Sequence, residues 1–435
     1  MTGPETADYP PPNCRADDLP MTRNAFDILT ERGFVAQSTD APGVRALLEK
    51  EKITYYIGFD PTASSLHCGS LVPIMAMAQL QRAGHKPVGL IGGGTAMVGD
   101  PSGKTEMRQM LCVEAISANG QGILGQLKRY LDLDAPAGGT ANNADWLMDL
   151  KYIEFLRDIG RHFRVNEMIR ADAYRARLER EEGLSFIEFN YQLLQAYDYL
   201  RLYETHGCVL QMGGDDQWSN ILAGCDLIRR KHAKPAHCIT FPLLTTARGE
   251  KMGKTANGAV WLDAARTSPY DFYQYWVNTD DRDVKRFLAL FTFLEIDEVA
   301  RLGAAEGAQL NASKQVLAFE ATKLCHGESA ANDARTAAKA AFSGGNPGGG
   351  EWSAMPSTSV DAARLDAGIG VIELFAECGV CASKGEARRL VQQGGAYVND
   401  AVVTDDKARV TLADLKDGAV LLRAGKKKYH RVVGA

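Results

Sequence analysis

ITYYIGFDPTASSLHCGSLVPIMAMAQLQRAG (residues 53–84) opens on an apolar run, 53–59, rich in β-branched and aromatic side chains, and this predicts a strand. The turn Asp60-Pro61-Thr62 ends it. His67-Cys68-Gly69-Ser70 then opens a helix over 70–83, in which Leu71, Ile74, Met75, Ala78 and Leu80 recur at helical spacing and Gly84 provides the stop. Working outward, PVGLIGG (87–93), CVLQMG (208–213) and CITFPLL (238–244) repeat the strand signal, while 184–204 and 217–231 read as helices and 21–50 as a helical lead-in. This alternation predicts an α/β fold, a parallel sheet with helices on both faces. A His, a Gly and a hydroxyl at a helix N-terminus, just past a strand's carboxyl end, stand where free N–H groups and the helix dipole collect phosphates. The alternative is that His67 only caps the helix.

The rest of the chain bounds the possibilities. Its 435 residues exceed one ordinary core and predict two or three domains. With 45% apolar and 24% charged residues it is neither disordered, collagen-like nor coiled-coil. A net charge of −5 argues against a wholly basic nucleic-acid-coating protein, and no run of 18 apolar residues predicts a membrane span. The first twenty residues hold five prolines and no apolar core, so 1–20 reads as a floppy tail rather than a secretory signal. Nine scattered cysteines suit reduced thiols in a cytoplasmic protein. The single C-x-x-C, Cys378 and Cys381, has no further ligand in sequence reach and no redox context. Residues 268–342 look all-helical, and SGGNPGGGEWSAMPSTS (343–359) reads as a linker. Residues 370–435 carry eleven Lys/Arg against eight Asp/Glu, a basic module on an acidic body.

Several constellations carry chemistry. Gly99-Asp-Pro-Ser-Gly103-Lys104-Thr105 and Gly249-Glu-Lys-Met-Gly253-Lys254-Thr255 look like phosphate-binding P-loops, but each has three residues between its glycines where that cradle needs four. The pattern counts against a P-loop kinase. Lys251 and Lys254, three apart among glycines, form a cationic clamp suited to a departing polyphosphate, or else a solvated loop. Tyr191, Gln195 and Asp198 share one helix face at i, i+4 and i+7 and would line a polar pocket or face solvent. In Gln211-Met-Gly213-Gly214-Asp215-Asp216-Gln217-Trp218 a strand ends, turns and opens a helix, so that Asp216 and Gln217 overlook the crevice. Asp216 suits ribose hydroxyls or a helix N-cap.

His67-Cys68-Gly69-Ser70 and Lys251-Met252-Gly253-Lys254-Thr255 resemble the paired ATP motifs of class I aminoacyl-tRNA synthetases, His-x-Gly-His and Lys-Met-Ser-Lys-Ser. The longer strings YIGFDPTASSLHCGSL, VGDPSGK, NYQLLQAYDYLRLYE and LQMGGDDQWSNI resemble bacterial-type tyrosyl-tRNA synthetases, in order and spacing over about 21–342. The resemblance implies a Rossmann-like catalytic domain over 21–260, an α-helical anticodon-region domain over 261–342, a flexible linker over 343–366 and a small RNA-binding domain over 367–435. It implies a ligase that activates L-tyrosine with ATP to tyrosyl-adenylate and transfers tyrosine to the terminal adenosine of tRNA(Tyr). Tyr56 and Asp198 would hydrogen-bond the substrate phenol, and Asp100, Tyr191 and Gln195 its amino group. Thr62, His67, Gly69 and Ser70 would contact ATP phosphates and ribose, and Asp60, Asp216 and Gln217 would line the adenylate site. Lys251, Lys254 and Thr255 would stabilise departing pyrophosphate. ATP would come with Mg2+ as a substrate, with no tightly held protein-liganded metal. A homodimer is implied, with Phe186 in the region that resembles its interface. Two positions depart from the motifs. Ser70 replaces the second histidine and offers a shorter contact. Gly253 replaces the first serine and is expected to loosen the loop.

Near the C-terminus, Ser383-x-x-Glu386 predicts a capping box and a helix presenting Lys384, Arg388 and Arg389. Lys426, Lys427, Lys428 and Arg431 add a second basic run. This stretch resembles the small alpha-L RNA-binding module shared with a ribosomal protein and pseudouridine synthases, which would bind phosphates in a salt-dependent way. Two other readings compete. Tryptophan specificity is disfavoured because an indole offers only a donor to Tyr56 and Asp198. A catalytically idle RNA-binding descendant would have eroded phosphate contacts, whereas His67, Lys251 and Lys254 are present.

Overall fold

The computed structural model describes residues 23–102, 111–179, 184–247, 249, 251–255, 258–343, 352, 355–425 and 428–435. The tail expected over 1–20, and Lys426 and Lys427, lie outside the described residues; so do the side chains of Lys254 and Thr255. The chain divides into two compact units. One comprises the residues up to Asp263 together with Asp280–Ser313, the other Ala264–Thr279 together with Lys314–Ala435.

In the first unit the lead-in forms two helices, α1 (Ala25–Glu31) and α2 (Ala41–Lys50). Each starts on a side-chain cap: Asn24 accepts from the Phe26 N–H at 2.8 Å and Asp40 from the Gly43 N–H at 3.0 Å. Six strands follow in one sheet: β1 (Gln37–Ser38), β2 (Thr54–Phe59), β3 (Lys86–Ile91), β4 (Gly139–Asn142), β5 (Cys208–Gly214) and β6 (His237–Phe241). Their order is β1-β6-β5-β2-β3-β4. All neighbours pair in parallel except β1, which runs antiparallel to β6. The sequence reading missed the two-residue β1 and the short β4, whose Gly-Thr-Ala-Asn has little strand propensity. β6 stops at Phe241 because Pro242 has no N–H to donate.

Strand order reverses between β2 and β5. From β2 the chain goes to β3 on one side, and from β5 to β6 on the other. The crevice outside their carboxyl ends is therefore the topological switch point. Helix α3 (Leu71–Arg82) makes the first crossover. It buries nine of its twelve residues, including Leu71, Ile74, Met75, Met77 and Leu80; each large apolar chain contributes about 1.5–3 kcal/mol. Pro73 falls in its first turn, where no N–H is needed. Helix α4 (Val113–Leu127) leads from β3 towards β4. The helix expected over 184–204 is two: a short Phe186–Phe189 helix opened by a Ser185–Glu188 capping box, then Tyr191–His206, which ends at Gly207.

In the second unit, β7 and β8 having formed the small hairpin of Lys254–Thr255 with Gly258–Ala259 in the first, the strands are β9 (Ser357–Val360), β10 (Ile369–Gly370), β11 (Ala396–Val398), β12 (Ala401–Val402), β13 (Arg409–Val410), β14 (Ala419–Ala424) and β15 (Lys428–Gly434). Five of them form a sheet in order β12-β11-β14-β15-β9, and β10 pairs with β13. Asn399 and Asp400, both at positive φ, make the tight β11–β12 turn. One apolar core joins Val420, Leu422 and Val432 of the sheet to Leu374, Phe375, Ala387 and Val391 of the helices Val371–Glu377 and Lys384–Gln392.

The linker expected over 343–366 needs correction at its C-terminal end. β9 pairs in parallel with β15, from Arg431↔Ser357 to Gly434↔Val360. Ala362–Asp366 is helical, and Trp352 and Met355 are buried. Gly, Pro and Ser dominate the local composition and mask a strand that places Val360 in the core. Cys378 and Cys381 belong to that same core, where burial raises both thiols above the usual cysteine range.

Candidate active site

A cavity of about 780 Å³ opens at the carboxyl ends of β2 and β5. Its walls include Tyr56, Asp60, Thr62, His67, Gly69, Ser70, Asp100, Tyr191, Gln195, Asp198, Asp216, Gln217 and Lys251. Every sequence-predicted residue of the first unit whose side chain is described therefore lies in one place. Lys254 and Thr255 lie in β7, a strand that continues directly from Lys251-Met252-Gly253.

One end of the cavity is buried and polar. Tyr56, on β2, is 1% exposed, and its hydroxyl has no hydrogen-bond partner among the described residues. An unpaired buried hydroxyl is costly, so a ligand that satisfies it gains correspondingly. The Tyr56 ring packs edge-on against Tyr199 at 5.4 Å. Asp198, on the Tyr191–His206 helix, accepts from Trp146 Nε1 at 2.7 Å and from Asn143 Nδ2 at 2.8 Å. Burial pushes its carboxyl up to about 7, against the opposing pull of those two donors. Asn143 also donates to Thr95 Oγ1 at 2.9 Å. Thr95 donates to Asp60 Oδ1 at 2.7 Å, and Tyr191 donates to Asp60 Oδ2 at 2.9 Å. A continuous chain of hydrogen bonds thus ties Asp198 to Asp60. Asn143 and Trp146 were missed in the sequence because they follow the unpredicted β4, and Thr95 because nothing in its local pattern marks the short turn after β3.

A second network holds the next stretch of wall. Asp100 accepts from the Ser102 N–H at 2.9 Å and from Gln217 Nε2 at 2.7 Å. Asn220 donates to Gln195 Oε1 at 3.1 Å and to Gln217 Oε1 at 3.3 Å. Asp216 is pushed above the usual carboxylate range by burial and by Asp100, while Lys251 pulls it back. Its neighbour Asp215 is engaged elsewhere, accepting from Gln37 and from Thr240.

At the open end, His67 does cap a short turn: its Nδ1 accepts from the Gly69 N–H at 3.0 Å. That bond places the ring proton on Nε2, so capping leaves the imidazole a donor. Capping and phosphate contact are compatible uses of one ring. The His67 ring meets Trp261 edge-on at 6.3 Å. Ser70 begins α3 without using its hydroxyl as a cap. Gly253, expected to loosen the lysine loop, is closely packed. It sits at φ +78°, where a glycine is favoured, and a Cβ there would stand 2.7 Å from the Gly69 nitrogen. Here the glycine serves close backbone approach. Among the described residues no cluster of three His, Cys, Asp or Glu stands ready to hold a metal ion.

The predicted basic residues of the C-terminal unit are partly neutralised. Lys384 meets Glu373 at 3.3 Å and Arg388 meets Asp406 at 3.2 Å. Arg389 is exposed. Lys428 donates to the Gly379 carbonyl at 2.8 Å and Arg431 to that of Trp352 at 2.9 Å. The capping box is modified: Ser383 accepts from the Glu386 N–H at 3.2 Å, but Glu386 reaches back to the Ala382 N–H at 2.7 Å.

Residues 48–343 match the family of tRNA synthetases class I (W and Y), and the chain belongs to that family. Residues 350–432 match the tyrosine--tRNA ligase SYY-like C-terminal domain. Within the family the similarity is to bacterial tyrosine--tRNA ligases. That of Desulfosudis oleivorans is 55% identical over 94% of this chain and 99% of the relative. That of Clostridium tetani is 51% identical over 95% and 100%. A C-terminally truncated mitochondrial tyrosyl-tRNA synthetase from Aspergillus nidulans superposes with a TM-score of 0.66 at 29% identity, covering 74% of this chain and 94% of that one.

Proposed function

We propose that this chain is a tyrosine–tRNA ligase. Tyrosine's carboxylate attacks the α-phosphorus of ATP, the bond to pyrophosphate breaks, and tyrosyl-adenylate forms. A ribose hydroxyl of the terminal adenosine of tRNA(Tyr) then attacks the acyl carbon, and AMP leaves. The nucleophile of the first step is already anionic, so alignment and charge stabilisation suffice and no general base is needed. The single observation that carries the reading is the cavity itself. At its closed end it joins an unpaired phenol-sized donor, Tyr56, to a buried acid, Asp198, and at its open end it holds His67 and Lys251.

In this reading Asp198 accepts from the substrate phenol and Tyr56 donates to it. Phenylalanine would leave the Tyr56 hydroxyl buried and unpaired and would give Asp198 no donor beyond Trp146 and Asn143. Asp100, Tyr191 and Gln195 hold the amino group. Thr62, His67, Gly69 and Ser70 meet the phosphates and ribose of ATP, and Asp60, Asp216 and Gln217 line the adenylate. Lys251, Lys254 and Thr255 stabilise pyrophosphate. Mg2+ arrives with ATP as part of the substrate. Lys384, Arg388, Arg389 and Lys426–Lys428 meet tRNA phosphates, with 261–342 as the anticodon-region domain. The enzyme works in the cytoplasm; no described helix is long and apolar enough to cross a membrane. Charging of tRNA(Tyr) with tyrosine but not phenylalanine is the expected result. Equal charging with both would contradict the roles of Tyr56 and Asp198.

The active form is a homodimer. Phe186, Ile153, Val165, Tyr152 and Met148 are 69, 65, 62, 58 and 57% exposed, a concentration of apolar side chains within 148–186 that a partner copy would cover. Phe186→Asp should shift sedimentation towards the monomer. An unchanged dimer would place the interface elsewhere.

A further inference from the structure

The two-residue β1 lies at the edge of the sheet, and its pairing lines up three strands. Gln37 stands opposite Thr240 of β6, and Thr240 opposite Gly213 of β5. Two residues beyond Gly213 comes Asp215, the first residue of the turn Asp215–Gln217 that leads into the Trp218–His232 helix. Asp215 Oδ1 accepts from Gln37 Nε2 and from Thr240 Oγ1, both at 2.7 Å. One carboxylate oxygen thus straps the end of β5 across β6 to β1. Thr240 is fully buried, which fixes that anchor, and a charged acceptor strengthens both bonds. Gln37, Thr240 and Asp215 all lie outside the wall of the cavity.

The other two residues of the turn do line it. Gln217 has side-chain anchors of its own: it donates to Asp100 at 2.7 Å and accepts from Asn220 at 3.3 Å. Asp216 has no such anchor among the described residues; its carboxylate is hydrogen-bonded only by its own backbone N–H. A Cβ on Gly214 would stand 2.6 Å from Asp216 Oδ1, so that carboxylate lies back over bare backbone. The backbone of the turn therefore sets the aim of Asp216, and the strap at Asp215 sets the backbone of the turn.

Resting on the ligase reading, in which Asp216 lines the adenylate, we propose that Asp215 is a positioning residue for ATP. Its carboxylate, anchored by Gln37 and Thr240, holds the turn that aims Asp216 into the cavity. The adjacent acids divide the work: Asp216 meets the substrate and Asp215 holds the scaffold. The edge strand β1 gains a role from this, because it supplies one of the two anchors. The phenol end, where Asp198 is held by Asn143 and Trp146, shares no hydrogen bond with the strap.

The test measures tyrosine-dependent ATP–pyrophosphate exchange by the full-length enzyme, comparing wild type with Asp215→Ala, Asp215→Asn, Gln37→Ala and the Asp215→Ala, Gln37→Ala double variant. Exchange by the wild type establishes the underlying reading separately. Asp215→Ala should lower kcat/KM for ATP about tenfold, with the tyrosine KM held within about twofold. Asp215→Asn keeps an oxygen that accepts from both donors and should recover most of that loss. Gln37→Ala, on the surface and away from the chemistry, should cost ATP about two- to threefold. Added to Asp215→Ala it should cost nothing more, since both substitutions break one network. Wild-type ATP kinetics in Asp215→Ala, a loss shared equally by ATP and tyrosine, or a Gln37→Ala loss that adds in full to that of Asp215→Ala would overturn the proposal. If Asp215→Ala fails to fold, Thr240→Val, which removes the other donor, and Gln37→Ala decide it by the same contrast of ATP with tyrosine.

Discussion

In the cavity of the first unit, Asp198 and Asp100 are buried, and each carboxylate has donors on both oxygens, at 2.7 to 2.9 Å. On the C-terminal unit, Lys384 and Arg388 keep 67 and 59% of their side chains exposed, and their acidic partners stand at 3.3 and 3.2 Å. Both regions use charge, with different consequences. A buried carboxylate with fixed donors holds one geometry and discriminates sharply, because whatever replaces its partner leaves a polar group stranded. An exposed ion pair is worth about 0–1 kcal/mol, so its cation can exchange the acid for a phosphate at little cost. Rigid recognition suits a small substrate. Replaceable pairing suits a polyanion bound along its backbone.

Asp198→Ala tests the buried side and should have the largest effect. It removes the proposed phenol acceptor, strands Trp146 Nε1 and leaves Asn143 Nδ2 with Thr95 alone, so kcat/KM for tyrosine should fall by about 100-fold or more, from a loss of roughly 3 kcal/mol or more. ATP binding should change far less. Equal damage to both substrates would remove Asp198 from the phenol site. Lys251→Ala should come next, lowering the rate of adenylate formation by about 10- to 100-fold while tyrosine affinity holds. A tyrosine-affinity defect instead would relocate Lys251 away from the pyrophosphate end.

Asp198 also predicts a pH dependence. Burial raises its folded-state value to about 7, so the neutral acid is the form the fold favours, and its stabilising contribution fades as pH rises through that value. The phenol donates to the ionised form. Tyrosine affinity should therefore strengthen, by up to about tenfold, as pH climbs from about 6 to 8. A flat titration in that window would contradict the assignment. The smallest effect belongs to the C-terminal surface. Arg389→Ala should weaken tRNA binding by a few-fold and reduce the slope of log affinity against log salt by about one. An unchanged slope would mean that Arg389 meets no phosphate.

Much of this contrast could be read in the sequence, for definite reasons. β2 announces itself through a run of β-branched and aromatic residues, β3 and β5 through short apolar runs, and α3 through its apolar spacing. The i, i+4, i+7 spacing of Tyr191, Gln195 and Asp198 put three cavity residues on one face, and all three do line the cavity. What escaped depends on distance along the chain. Asn143 and Trp146 reach Asp198 across 55 and 52 residues, from beside a strand with no strand-like pattern. Glu373 and Asp406, which partner Lys384 and Arg388, are brought close only by the fold. β9 hid in a Gly- and Ser-rich stretch because its pairing with β15 is long-range. The close packing of Gly253 escaped for a related reason: the backbone opposite it is distant in sequence.

The most direct test of the central claim is ATP–pyrophosphate exchange without tRNA, run in parallel with tyrosine, phenylalanine and tryptophan. The account predicts exchange with tyrosine alone, which would establish the adenylate chemistry and the polar end of the cavity together. Exchange with phenylalanine as strong as with tyrosine, or none with any of the three from folded protein, would contradict it.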